Sequence, residues 1–493
     1  MSKLYITTQS ETYLHVVADD TGVERELSDK FEFFYPGYQY TPSFKKGFWS
    51  GKIKMYNMRT KLIYRGLLPR ILKFAKENKY KVSLDKNAYQ PNAVTIEELQ
   101  KFIKTLNLPL DIIPRDYQLK TILECINKKR LTVLSATSSG KSLIIYIVAK
   151  FLKQKTLIIV PTKTLVHQMI GDFKDYNCTD DIHSIYSGKD KTTNLLLSVT
   201  TWQSLVRMPK EWFDQFNCVI VDETHQAKAA SITKILEKLD ECEYRFGTTG
   251  TLDGEKTHRF IIEGLLGSVY RIVTAKQLME DGILADLTIH AKILRHPNDI
   301  KNISKHWDYK KEIDYLISCQ ERNQYIVDLV LSKKGNNLVV FNFVEKHGDI
   351  LHKMFQEQTD RPIYYIHGGI DATIRDDMRM LIEKESDAII IAGLKAFATG
   401  TNIKRLDNIY FAHPSKSRIT TLQAIGRVLR TAKNKISACL YDIADDLKPK
   451  NKGRMNFTMR HFIERLKIYK SERFHYDLDE VELENYIERS KKD

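Results

Sequence analysis

From about residue 110 onward, short apolar runs alternate with stretches of helical spacing. Leu131–Leu134, Leu157–Val160, Cys218–Val221 and Tyr244–Gly247 form a first group of runs. After a connection around 275–335 the rhythm resumes with Leu338–Phe341, Ile363–Ile366, Ala388–Ala392, Asn408–Phe411 and Ala438–Tyr441. Runs without polar interruption, each separated from the next by a helix, predict strands buried on both faces of a parallel sheet. Two groups of runs predict two doubly wound α/β domains.

Residues 1–90 follow a different pattern and predict a small α+β unit. Gly51-Lys52-Ile53-Lys54-Met55-Tyr56 alternates as a half-exposed strand does, with Lys52 and Lys54 on one side. Pro36-Gly37 and Pro42-Ser43 mark turns. Leu67 to Asn78 reads as a helix with Leu68, Leu72 and Ala75 on one face, and residues 94–106 as a short connecting helix. Residues 448–493 begin basic, end acidic and carry helical spacing. The expected division is therefore 1–90, 91–280, 281–447 and 448–493.

Composition narrows the class. The 493 residues are 42% hydrophobic and 28% charged, with 22 Gly and 12 Pro, which excludes collagenous, low-complexity and wholly disordered chains. Six cysteines at 125, 178, 218, 242, 319 and 439 show neither C-x-x-C nor zinc-finger spacing, so a reducing compartment and no structural metal are expected. The start MSKLYITTQSETYLHV lacks the apolar stretch of a signal peptide, and no apolar run nears the ~18 residues of a membrane span. A cytoplasmic location is expected. The net charge of +15 asks for a polyanion, with nucleic acid ahead of a membrane surface.

Three segments carry candidate chemistry. Ser135-Ala136-Thr137-Ser138-Ser139-Gly140-Lys141-Ser142, between a strand and a helix, departs from the phosphate-loop pattern G-x-x-x-x-G-K-[ST] only in its first position. Such a loop converges backbone N–H groups on phosphate, with Lys141 reaching the β- and γ-phosphates and Ser142 holding Mg²⁺. A Ser-capped strand-to-helix turn reads the same way. Asp222-Glu223-Thr224-His225 follows the run Cys218–Val221 directly. Asp222 suits a Mg²⁺ contact and Glu223 the activation of water, against a plain acidic turn or zinc ligation through His225. Gln423, Arg427 and Arg430 share one helix face, either as arginine fingers or as a solvated basic surface.

Together these segments resemble the superfamily 2 helicases of the DExH type. Pro114-Arg115-Asp116-Tyr117-Gln118 resembles the Q motif, Pro161–Gln168 motif Ia and Thr200–Ser204 motif Ib. Thr249-Gly250-Thr251 stands where motif III belongs, and Leu278–Leu284 resembles the interdomain joint. Ile366-His367-Gly368 and Ala398–Asn402 resemble motifs IVa and V, and Gln423–Arg430 motif VI. The resemblance spans residues 112–445, and its specificity lies in the order of the motifs.

It implies two RecA-like domains with ATP and Mg²⁺ between them. The first would supply Lys141, Ser142, Asp222 and Glu223, with Arg115, Gln118, Ser138, Ser139 and Gly140 also at the nucleotide. The second would supply Gly400, Asn402, Arg427 and Arg430. His225 would couple the ATP site to the nucleic-acid track through Gln423 or through Thr249 and Thr251. Thr162, Thr201, Gln203, His367, Gly368 and Thr399 would grip the tracking strand. Residues 37–53 further resemble the N-terminal domain of phage recombination helicases, which implies remodelling of branched DNA and RNA–DNA hybrids. Ser135 and Gly250 depart from the family pattern and put fine positioning at the ATP site in question.

The charge then divides unevenly. Between Lys45 and Lys81 stand twelve basic residues against Glu77 alone, and between Lys448 and Arg473 nine against Glu464 and Glu472. These segments hold +11 and +7, leaving −3 for the remainder of a chain that totals +15. Lys45, Lys46, Lys52 and Lys54 are candidate phosphate contacts, and Trp49 the aromatic best placed to be exposed. The expected function is an ATP-dependent, monomeric helicase acting on branched or duplex DNA, beside single-strand-binding or recombination proteins. A duplex translocase without strand separation and a non-catalytic nucleic-acid scaffold are the alternatives.

Overall fold

The computed structural model describes residues 2–35, 37–136, 139–186, 191–192, 194–225, 229–250, 256–394, 403, 405–413, 421–422, 424–426, 429, 437–448 and 454–489. The chain divides into two compact units, Met1–Val273 and Thr274–Asp493.

The first unit opens with strands β1 (Lys3–Thr8), β2 (Tyr13–Ala18), β3 (Glu32–Phe34), β4 (Lys52–Lys54), β5 (Leu62–Tyr64) and β6 (Lys81–Leu84). Four of them form a sheet in the order β5-β2-β1-β6, and β3 and β4 pair separately as an antiparallel ribbon. The helix Leu68–Glu77 buries Leu68, Ile71, Phe74 and Ala75. Its i, i+3, i+6, i+7 spacing forms one apolar stripe.

Then come β7 (Arg130–Leu134), β8 (Thr156–Val160), β9 (Ile182–Ile185), β10 (Leu197–Thr201), β11 (Cys218–Val221), β12 (Tyr244–Thr249) and β13 (Val269–Arg271). They make one seven-stranded sheet, β13-β7-β12-β11-β8-β10-β9, in which every pairing is parallel. Both faces are buried, and alternate residues serve two cores. Ile158, Ile220 and Phe246 join the helix Lys141–Leu152 on one side. Leu157, Ile159, Val219 and Val221 join the other side, and there the core runs on without a break into Leu4, Ile6, Leu14 and Ile71 of the N-terminal region.

The N-terminal sheet is thus fused to the larger one. Tyr13 and Tyr64 stack at 5.2 Å and donate to the same carboxylate oxygen of Glu237, at 2.9 and 2.7 Å. Glu11 accepts from Arg65 and Arg130, and Glu263 from Arg70 and Arg259. At Gly66 a Cβ would lie 2.1 Å from the Glu263 carbonyl oxygen, so only glycine lets the two backbones approach this closely.

The second unit contains β14 (Asp286–Arg295), β15 (Asn337–Phe341), β16 (Ile363–Ile366), β17 (Ile389–Gly393), β18 (Asn408–Phe411), β19 (Ser437–Asp446) and β20 (His475–Glu482). Their sheet, β16-β17-β15-β18-β19-β14-β20, is again parallel throughout. The expected α/β class with two doubly wound sheets and a small N-terminal α+β region is what the fold shows.

The C-terminal residues, read as a helical segment, hold a helix and a strand. β20 forms the edge of the second sheet and sets its acidic residues against β14, with Lys292 2.8 Å from Asp479. The helix Phe457–Ser471 is pinned by Arg465, whose buried guanidinium lies 2.9 and 2.7 Å from the oxygens of Asp442 on β19. Tyr469 donates to the same carboxylate, and Glu312 accepts from the N–H groups of Phe457 and Thr458 at the helix start. All six cysteines are free thiols. Among the described residues no helix is long and apolar enough to cross a membrane.

Gly66→Ala should force the N-terminal region away from the helix Lys256–Leu266. Overpacking of this kind costs about 1–3 kcal/mol, and urea unfolding should show that loss together with faster proteolytic release of residues 1–90. Wild-type stability and protection would mean that the contact is not tight.

Candidate ATP site and nucleic-acid surface

Parallel strands end on the same side of their sheet, so β7, β11 and β12 bring three candidate segments together. β12 lies between the other two, with Thr249 opposite Leu134 and Gly247 opposite Val221. The loop after β7 is tied to β12 by the Ser135 N–H, which donates 3.0 Å to the Thr249 carbonyl. Gly140 ends the loop at φ +79° and precedes the helix Lys141–Leu152. A Cβ there would lie 2.3 Å from Gln118 Nε2, so both the torsion and the space require glycine.

Gln118 is buried beneath the loop. Its Oε1 accepts from the Arg115 N–H at 2.8 Å and its Nε2 donates to the Ser139 carbonyl at 3.0 Å. The Tyr117 hydroxyl donates to that same carbonyl at 2.9 Å and accepts from Arg115 at 3.0 Å. In this arrangement Gln118 and Arg115 brace the loop. Ser135, standing where the pattern has glycine, is also used: its buried hydroxyl donates to the Ser139 hydroxyl across the loop.

Asp222 and Glu223 follow β11. Glu223 holds φ +48°, a left-handed torsion that costs a non-glycine residue about 1–3 kcal/mol. The turn is held by the Thr224 N–H, which donates to the Thr248 carbonyl at 3.1 Å. Lys141 Nζ stands 3.7 Å from Glu223 Oε1, and His225 Nδ1 is 3.2 Å from Glu223 Oε2 and 2.7 Å from Thr249 Oγ1. Thr248 donates to Asp222. Burial, then the adjacent Glu223 carboxylate, push the Asp222 carboxyl above its ordinary value, against the pull of Lys141. Two acids beside one lysine leave this cluster short of positive charge, a setting whose chemistry fits a divalent cation at Asp222.

Thr162 lies just past β8, as the cap of the helix Lys163–Asp175, and Thr201 ends β10; the two strands are neighbours in the sheet. Thr162 accepts from the Leu165 N–H, and Gln203 donates to the Pro161 carbonyl at 3.3 Å, so both candidates share one rim. Thr201 is buried, its hydroxyl 3.1 Å from Ser204. In the second unit His367 follows β16 and accepts from the Gly369 N–H, with Gly368 exposed between them. Ser138, Thr251, Thr399, Gly400, Asn402, Gln423, Arg427 and Arg430 lie outside the described residues.

Folding redistributes the N-terminal charge. Acids distant in sequence neutralise several of the basic residues: Glu32 pairs with Lys52 and Lys54, Glu24 with Lys61, Glu11 with Arg65 and Glu263 with Arg70, while nearby Glu77 meets Lys73. Lys45, Lys46, Arg59, Lys76, Lys79 and Lys81 are exposed, with no ion pair among the described residues. Trp49, expected to be exposed, is half-buried. It donates to the Lys52 carbonyl at 3.0 Å and meets the Tyr35 ring edge-on. Among the described residues of this region the most exposed aromatics are Phe48 at 83% and Tyr40 at 75%, flanking Lys45 and Lys46 in sequence.

Sequence reading missed Tyr117 and Thr248, although both sit beside or inside segments it singled out. It also missed Tyr176, whose hydroxyl is 2.8 Å from that of Ser142. Nothing local to residue 176 signals that role.

Comparison with known proteins covers nearly the whole chain. The family described as "DNA helicase UvsW, N-terminal" matches residues 6–85, "Type III restriction enzyme, res subunit" matches 111–254, and "Helicase conserved C-terminal domain" matches 321–432. The ATP-dependent DNA helicase UvsW of Enterobacteria phage T4 is 32% identical over 96% of this chain and 98% of its own length. The crystal structure of T4 UvsW superposes with a TM-score of 0.52, covering 98% of this chain and 100% of that one. Yeast Dbp5 bound to RNA and ADP BeF3 shares the fold at 13% identity and a TM-score of 0.53, over 80% of this chain and 95% of that one. With identity sustained from the N-terminal sheet through both parallel sheets, the chain belongs to the UvsW family of ATP-dependent DNA helicases.

Proposed function

We propose that this helicase remodels branched DNA, namely forks, four-way junctions and R-loops, in phage-type recombination and replication restart within the host cytoplasm. The observation that carries the reading is the fusion of the N-terminal region, whose basic, aromatic face lies in the segment joining β3 and β4, to the ATP-site sheet through one continuous core. A junction held by that face keeps a constant position relative to the rim bearing Thr162 and Gln203. Lys45 and Lys46 neutralise phosphates, and Tyr40 and Phe48 offer faces for unpaired bases.

At the ATP site Lys141 holds the β- and γ-phosphates, Ser142 and Asp222 hold Mg²⁺, and Glu223 orients and deprotonates the attacking water. Bound Mg²⁺ supplies charge neutralisation at the phosphates. His225 reports that state to Thr249 through their hydrogen bond. Arg427 and Arg430 act as arginine fingers, Gly400 and Asn402 contact the nucleotide, and Gln423 and Thr251 join the coupling path. Thr201, His367, Gly368 and Thr399 hold the strand. The motor works as a monomer, accepts RNA–DNA hybrids, and operates beside single-strand-binding or recombination proteins.

Unwinding assays over single strands, duplexes, forks, four-way junctions and RNA–DNA hybrids test the reading. Forks and junctions should be resolved in an ATP-dependent manner, and Lys141→Ala should abolish this while still binding DNA. Triplex displacement without fork unwinding would assign a duplex translocase instead, and ATP-independent behaviour a scaffold. Gly140→Ala should weaken binding of a fluorescent ATP analogue about tenfold, since the left-handed torsion alone costs about 1–2 kcal/mol; unchanged affinity would contradict the loop geometry. Lys45→Glu with Lys46→Glu should weaken junction binding and make its salt dependence shallower, by about 0.9 in slope for each phosphate left without its cation. DNA-free hydrolysis should stay intact. An unaltered slope would remove this face from the DNA site.

A further inference from the structure

Ser142 is the second residue of the helix Lys141–Leu152, and its hydroxyl meets a partner from a different part of the fold. Tyr176 caps the C-terminal end of the helix Lys163–Asp175, where its N–H donates to the Asp172 carbonyl. Its ring packs 5.5 Å from that of Tyr146, one turn below Ser142 on the same helix, and Tyr146 is in turn 5.2 Å from Phe173. Backbone and ring are therefore both anchored. The phenol oxygen has one direction of reach, and it ends 2.8 Å from Ser142 Oγ.

We infer that Tyr176 is a positioning residue for the metal-binding hydroxyl of Ser142. The inference rests on the reading of Ser142 as a Mg²⁺ ligand. A serine that ligates a cation directs a lone pair at it and keeps its own proton, and that proton needs an acceptor on the far side. Either oxygen of the Ser142–Tyr176 pair can be the donor. A cation on one serine lone pair withdraws electron density from the oxygen, which makes it a poorer acceptor and its proton a better donor, so the pair settles with Ser142 donating and Tyr176 accepting. Tyr176 thereby selects the Ser142 rotamer that faces the metal. Without the phenol oxygen, Ser142 would sample its other staggered positions and Mg²⁺ would have to select among them.

Tyr176→Phe removes the acceptor and keeps the ring against Tyr146. Equilibrium binding of a fluorescent ATP analogue, titrated with Mg²⁺ and repeated in EDTA, isolates the effect. The Mg²⁺ concentration for half-maximal binding should rise about three- to tenfold, the usual worth of one hydrogen bond. Affinity in EDTA should stay at the wild-type value. Ser142→Ala should raise the Mg²⁺ requirement by itself, and adding Tyr176→Phe to it should cause no further loss. An unchanged Mg²⁺ requirement in Tyr176→Phe, an equal loss with and without Mg²⁺, or additive losses in the double variant would overturn the inference. If wild-type binding were indifferent to Mg²⁺, or Ser142→Ala were silent, the reading of Ser142 itself would fail, and that result is distinct from a wild-type response that Tyr176→Phe leaves intact.

Discussion

Everything at the candidate ATP site depends on one constraint: parallel strands deliver their carboxyl ends to the same edge. In the first unit β12 lies between β7 and β11. The residues that leave β7 become the phosphate loop, those that leave β11 become the two carboxylates, and those at the end of β12 brace both. Thr249 shows this economy. Its carbonyl accepts from Ser135 in the loop, and its hydroxyl meets His225 beside Glu223. A slip of one residue in the β12 register would move Thr248 away from Asp222 and Thr249 away from His225 together.

The same sheet also fixes the N-terminal region. Val219 and Val221 belong to the core that continues through the helices Ala229–Lys238 and Lys256–Leu266 into the N-terminal region, and Cys218 and Ile220 to the core around the helix Lys141–Leu152, so the two cores of the first unit share the very strand that presents Asp222. Polar contacts at this boundary gather on a few acids, Glu11, Glu237 and Glu263, each serving two partners. Half-buried contacts of this type add little net stability, but removing one partner leaves the other poorly satisfied, so they favour one placement of the N-terminal region on the rest of the first unit. In the second unit Arg465 on Asp442 does the same for the C-terminal helix. The basic segments 45–81 and 448–473 thus belong to the first and the second unit respectively.

The strands legible in the sequence were those with an unbroken apolar run, most of them buried on both faces. Cys218–Val221, Ile363–Ile366 and Asn408–Phe411 have the predicted limits. β14 and β20 were not legible, because one side of each carries charges that balance across the ladder, as with Lys292 and Asp479. β10 hides Ser198 and Thr200 in the core, where hydroxyls break the apolar run. At the site the loop, the acid pair and the Q motif were visible as local patterns. The placement of Trp49 and Tyr176 was not, nor was the neutralisation of Lys52, Lys54, Lys61 and Arg70, since each depends on a residue brought in by the fold.

The central claim is that the strand-end cluster around Lys141, Asp222 and Glu223 is a hydrolytic site coupled to DNA held by the same unit. The rate of ATP hydrolysis by the full chain, measured with and without four-way-junction DNA, tests this most directly. The account predicts slow turnover alone and stimulation of about tenfold or more on saturating junction, the scale of coupling expected between two linked sites. Equal rates with and without DNA, or no hydrolysis in either case, would contradict it.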